Sequence, residues 1–132
     1  MTSQALRPEA PDIVLLVAEW QPRALIRAQL IEEGFDVVAT NTWPMTRRHL
    51  RPGLKPRLAI VDLKGLPNPK DVLGDLRLLL EPHQVLVLTA SGTVPVGTVE
   101  SAGFRRLSRP FAIRDVVTKA VEAVASTNGL DR

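Results

Sequence analysis

Short apolar runs alternate with helix-period stripes from one end of the chain to the other, and that alternation admits few folds. Ile13-Val14-Leu15-Leu16-Val17, Phe35 to Ala39, Leu58 to Val61, Val85 to Leu88 and Phe104 to Leu107 read as strands. The first, third and fourth are apolar at every position, the pattern of strands buried on both faces of a parallel sheet. Between them lie helices. One carries Leu25, Ile26, Leu30 and Ile31 inward and stops at Gly34, and another runs from about Pro44 to Arg51, before Pro52-Gly53. A third opens on Asn68-Pro69, as N-cap and first turn, with Val72, Leu73, Leu76, Leu79 and Leu80 as its stripe. Gly92, Pro95 and Gly97 punctuate the next segment and leave room only for a short fourth helix, Thr98 to Ala102. The last helix aligns Ile113, Val116, Val117, Ala120, Val121 and Val124 on one face.

Strand and helix in strict alternation imply an α/β domain, a doubly wound five-stranded parallel sheet with helices on both faces. The expected strand order is 2-1-3-4-5, the flavodoxin-like arrangement. At 132 residues there is room for one core, placed at 12–126, with flexible tails at 1–11 and 127–132. The net charge is only +3 and Tyr is absent, so direct nucleic-acid binding is not expected. The chain has no cysteine, no apolar leader in Met1 to Pro11 and no run of membrane-spanning length. A cytoplasmic location is therefore the expectation, with no membrane partner.

In open sheets of this kind, ligands bind at the carboxyl ends of the strands. The polar residues at those ends are Glu19, Asp62, Thr89 and Arg109. Each has an ordinary structural reading: Asp as a turn or cap residue, Thr as a strand former, Arg109 and Glu19 as solvated charges. Their convergence on one crevice is what marks a site. No Ser/His/Asp triad or metal-ligand spacing accompanies them, and His49 and His83 read as surface residues. An enzyme is not expected.

The pieces Leu-Ala-Ile-Val-Asp62-Leu, Val-Leu-Val-Leu-Thr89-Ala90 and Ala102-Gly103-Phe-Arg-Arg-Leu-Ser-Arg109-Pro110-Phe111, with Arg23 and Gly34-Phe35, resemble the receiver domain of two-component response regulators. The resemblance implies that Asp62 is the phosphoacceptor, served by a histidine kinase or phosphotransfer protein. It implies that Thr89 and the cation at 109 bind the acyl phosphate, with Mg²⁺ as cofactor. An effector protein, or a homodimer through the fourth helix, fifth strand and fifth helix, would read the output. On that face Arg105, Arg106 and Arg114 form an arginine-rich patch suited to an acidic partner, or a solvated edge.

Three departures from the family pattern bear on chemistry. The paired acids at the end of the first strand are replaced by Val17 and Ala18, leaving Glu19 and Asp62 as a weakened metal site. The usual lysine is Arg109, which either grips a phosphoryl group or stands as an ion-pair partner of Asp62. The aromatic switch position holds Arg106. Lys64 could take over the metal's charge beside Asp62 or point into water, and Trp20 could plug the crevice or anchor a partner. The alternative to a phosphoacceptor is thus a pseudo-receiver, an interaction module independent of phosphorylation. A nucleotide or flavin binder is a minor alternative, because Glu19-Trp20-Gln21-Pro22 lacks a glycine-rich phosphate cradle.

Overall fold

The computed structural model describes residues 10–95 and 97–130. The elements follow in the order β1 (Ile13–Leu16), α1 (Trp20–Glu32), β2 (Val37–Thr40), α2 (Trp43–Arg47), β3 (Leu58–Asp62), α3 (Pro69–Leu79), β4 (Val85–Thr89), α4 (Thr98–Ser101), β5 (Arg105–Ser108) and α5 (Ile113–Leu130). A 3-10 turn, Pro82–Gln84, leads into β4. All strands pair in parallel in the order β2-β1-β3-β4-β5, as the alternation requires.

The sheet divides its side chains by parity. Ile13, Leu15, Val17, Leu58, Ile60, Leu86 and Leu88 face one layer, where Ile26 and Leu30 of α1 meet Val116, Val117, Ala120, Ala123 and Val124 of α5. Val14, Leu16, Ala59, Val61, Val85 and Val87 face the other, against Val72, Leu73 and Leu76 of α3, with Leu50, Leu63, Leu66, Val99 and Phe104. Central strands β1, β3 and β4 are buried along their whole length, whereas edge strand β5 alternates half-buried and exposed residues. The wet face carries Arg106, whereas Arg105 lies on the half-buried face and donates from Nε to the His83 carbonyl.

Several boundaries move for physical reasons. Leu25 and Ile31, expected to point inward, are 48% and 43% exposed. Ile26 and Leu30, four apart, occupy the buried stripe, and a one-residue step in either direction rotates a side chain by about 100° away from it. Helix α2 ends at Arg47, not Arg51. Beyond it the His49 and Leu50 N–H groups donate to the Thr46 and Arg47 carbonyls, a tighter coil that delivers Leu50 fully into the core. Asn68 holds the N-cap position of α3, but its side chain makes no capping bond. Helix α5 continues to Leu130, past the expected domain end at 126, while residues 1–9 and 131–132 of the expected tails lie outside the described residues.

One buried polar contact ties α2 to the sheet. Thr40 and Thr46 are both buried, with their hydroxyls 2.6 Å apart. Thr46 Oγ1 also donates to the Thr42 carbonyl at 2.7 Å, and Thr40 Oγ1 approaches the Leu15 carbonyl at 3.3 Å. Every hydroxyl in the group is thereby satisfied. Thr46→Val removes a shared partner and is expected to lower unfolding free energy by about 1–3 kcal/mol, whereas Thr46→Ser retains most of it. Urea denaturation of the two variants measures the difference.

Candidate functional site

The carboxyl ends of β3, β4 and β5 bring Asp62, Thr89, Ser108 and Arg109 to one edge of the sheet. Asp62 closes β3 in register with Leu88, and its side chain is only 4% exposed. The Lys64 amide donates to Asp62 Oδ1 at 3.1 Å, the turn typical of an Asp that ends a strand. Arg109 follows β5 directly, and its amide donates to the Thr89 carbonyl at 2.9 Å, extending the ladder by one rung. That rung aims its side chain across the strand ends. Arg109 Nη1 donates to Asp62 Oδ1 at 2.9 Å and Nη2 donates to Oδ2 at 2.6 Å.

This is a two-pronged guanidinium–carboxylate pair, in which both carboxylate oxygens are engaged at once. The guanidinium carbon also lies 4.8 Å from the centre of the Phe111 ring, so the cation is held between an anion and an aromatic face. With the carboxylate 4% and the arginine 25% exposed, the pair is largely withdrawn from water. Arg109 thus stands here as an ion-pair partner of Asp62.

Thr89 makes no hydrogen bond to Asp62. It is buried, lies opposite Ser108 in the β4–β5 register, and donates to Ser108 Oγ at 3.0 Å. Arg106 Nη1 donates to the same oxygen at 3.2 Å, and its Nη2 pairs with Glu100 Oε2 at 3.2 Å. A polar chain therefore runs from Thr89 through Ser108 and Arg106 to Glu100 on α4. It skirts a cleft of about 210 Å³ that Thr89, Ser108, Arg106 and Arg109 help to line. Ser108 was not singled out from sequence. The available signal was its place one residue before Arg109, which sets it level with Thr89.

The end of β1 is equally distinctive. Val17 is buried, Ala18 is half-buried, and neither offers a side-chain donor atom to a metal. Their carbonyls instead accept from one nitrogen of Arg23, at 2.9 Å and 3.1 Å. Glu19 is exposed and does not turn inward. Its Oε1 pairs with Lys64 Nζ at 3.1 Å, so Lys64 answers Glu19 and not Asp62 with its ammonium. The β1–α1 and β3–α3 loops approach closely here. Gly65 has φ +83°, and a Cβ on it would stand 3.0 Å from the Ala18 Cβ.

These residues do not fit an octahedral magnesium. Asp62 has both oxygens engaged by Arg109, Glu19 faces solvent and pairs with Lys64, and Val17 and Ala18 bring no carboxylate to the end of β1. Trp20 opens α1 and is 71% exposed, so it does not plug the crevice. His49 and His83 are half-buried, and the His83 carbonyl accepts from Arg105 Nε at 3.0 Å. Arg114 lies apart on α5, paired with Glu33 at 3.4 Å.

No protein-family model matches the sequence, and no curated protein matches it. Solved structures do. The signal receiver domain of a protein described as a Luxo repressor, from Vibrio parahaemolyticus, is 22% identical with a TM-score of 0.76, over 92% of this chain and 95% of that one. A CheY-like response regulator receiver domain protein from Methanospirillum hungatei is 19% identical with a TM-score of 0.74, over 92% and 98%. This chain has the fold of a response-regulator receiver domain. An adenylate cyclase structure from Rhodopirellula baltica is also similar, at 18% identity and a TM-score of 0.72, over 90% of each chain. No helix among the described residues of this receiver fold is long and apolar enough to cross a membrane.

Arg109→Ala leaves a buried carboxylate unpaired, and is expected to lower unfolding free energy by about 3–5 kcal/mol. Replacing both partners together, Asp62→Leu with Arg109→Met, should lower it by much less than the sum of the two single changes. A double-mutant cycle in urea reads this coupling directly.

Proposed function

We propose that this receiver-fold domain is a pseudo-receiver: a protein-interaction module in a signalling pathway whose working state does not require phosphorylation of Asp62. The observation that carries the reading is the two-pronged Arg109–Asp62 pair. A phosphoacceptor carboxylate must present a free oxygen to phosphorus, with a cation neutralising the charge that gathers on the transferred group. Here each oxygen already accepts from a guanidinium nitrogen, and Val17 and Ala18 bring no carboxylate to the end of β1 that could hold a divalent ion beside Asp62. Phosphoryl transfer from a histidine kinase or phosphotransfer protein would have to break that pair in a largely buried setting.

A soluble partner would read the domain through the face formed by α4, β5 and α5. Arg105 and Arg106 lie on that edge strand, and the pairing of Arg106 with Glu100 and Ser108 holds its side chain in place. The exposed Trp20 is a second anchor, beside the mouth of the crevice. Nothing in the β1–α1 loop favours a bound nucleotide or flavin, since Glu19 is committed to Lys64.

Intact-mass analysis after incubation with acetyl phosphate and Mg²⁺ tests the central point, with Asp62→Asn in parallel and an ordinary receiver as positive control. The expected result is no added phosphate on the wild-type chain. A single phosphate that disappears in Asp62→Asn would establish a working phosphoacceptor and overturn the proposal. For the partner face, the doubly reversed Arg105→Glu/Arg106→Glu protein should retain its fold and lose at least about tenfold in affinity for an acidic protein partner. Undiminished binding would move the interface elsewhere.

A further inference from the structure

A second concavity lies over the carboxyl ends of β2 and β3, beyond the opposite edge of the β3–α3 loop from Asp62. It encloses about 510 Å³, within the size range of small-molecule sites. Trp43, Leu66 and Val72 supply its apolar walls, and Asn41, Asn68 and Asp71 its polar rim. Two independent features point to a ligand. First, the aromatic wall is fixed in advance: Trp43 Nε1 donates to Asp75 Oδ2 at 3.0 Å, and the ring packs half-buried against the α3 side of the core. Arg47 lies 3.7 Å from the same carboxylate and steadies it from α2. Second, the rim is uncommitted. Asn41, Asn68 and Asp71 are exposed at the mouth and, among the described residues, make no side-chain hydrogen bond or ion pair, so a ligand that reaches them displaces water and breaks no protein contact.

From this we infer that the concavity binds a small amine with an apolar, preferably aromatic, body. The ring would lie against Trp43, Leu66 and Val72, with its ammonium directed to Asp71 and the side-chain oxygens of Asn41 and Asn68. Among the described lining residues the one charged side chain is the Asp71 carboxylate, in the first turn of α3, and its full negative charge outweighs the partial positive charge of that helix end in setting the sign of the ligand. Arg47 is already engaged with Asp75, and Lys70 lines the adjoining groove and not this one. An indole face also attracts a cation, whereas it gives an anion nothing. The fixed indole means that little side-chain order is lost on binding. This inference does not rest on the state of Asp62, so the phosphodonor experiment and the one below can fail separately.

Trp20 and Trp43 are the two tryptophans of the chain, and Trp20 is exposed on α1. The full chain carrying Trp20→Phe therefore reports Trp43 fluorescence alone. Three probes of similar shape and different charge are titrated at constant ionic strength: 2-phenylethylamine, 2-phenylethanol and 3-phenylpropanoate. The amine should give a saturable change, binding about three- to tenfold more tightly than the alcohol, with the acid weakest. Asp71→Asn, a solvent-facing change whose fold is checked by circular dichroism, should bring the amine to the level of the alcohol. Absence of saturation with all three probes would overturn the assignment of a binding site. Equal affinity for amine and alcohol, or an undiminished amine affinity in Asp71→Asn, would overturn the assignment of ligand class.

Discussion

The Asp62–Arg109 pair is the interaction on which the functional edge of the domain depends. A carboxylate that is almost wholly removed from water is unfavourable by several kcal/mol unless its charge and lone pairs are met. The guanidinium meets both, with geometry that an ammonium could not reproduce. Because Arg109 is an extra rung on the β4–β5 ladder, the pair also joins β3 to the end of β5 across the intervening strand. The Phe111 ring lies against the same cation. Sheet edge, aromatic lid and buried acid thus form one unit.

Around that unit the remaining charges pair locally, leaving the crevice little to offer a free ion. Glu19 is matched by Lys64 over the mouth, Arg23 engages the carbonyls that end β1, and Arg106 joins Glu100 to the Ser108–Thr89 pair. The hydroxyl of Thr89 therefore connects sideways, to β5 and α4, and makes no hydrogen bond to Asp62. Any signal leaving this edge would travel through a serine and an arginine, in place of a rotating aromatic ring.

Much of the fold was legible because the central strands are continuous apolar runs. Leu58–Asp62 and Val85–Thr89 are buried on both faces, so no choice of register could spoil the pattern. Legibility failed where a decision rested on one residue of rotation or on tertiary demand. Leu25 and Ile31 are as apolar as Ile26 and Leu30, yet only the latter two fall on the buried stripe. Helix α2 stops early because Leu50 must reach the core, which nothing local announces. At the site, Asp62 and Arg109 were evident as strand-end residues, and their pairing was one of two open alternatives. Ser108 gained its role only from standing opposite Thr89, and the Trp43 concavity only from two loops that meet in space.

The tight approach of Ala18 to Gly65 limits which substitutions this crevice admits one at a time. Building an ion-binding crevice from this one needs a carboxylate at the end of β1 and the release of Asp62 from Arg109. A carboxylate introduced first would place a second negative charge near a pair already complete, at a point where the facing loop leaves little space. Removing Arg109 first would strand the buried acid. Each single step is unfavourable and only the combination is viable, so the changes are strongly epistatic.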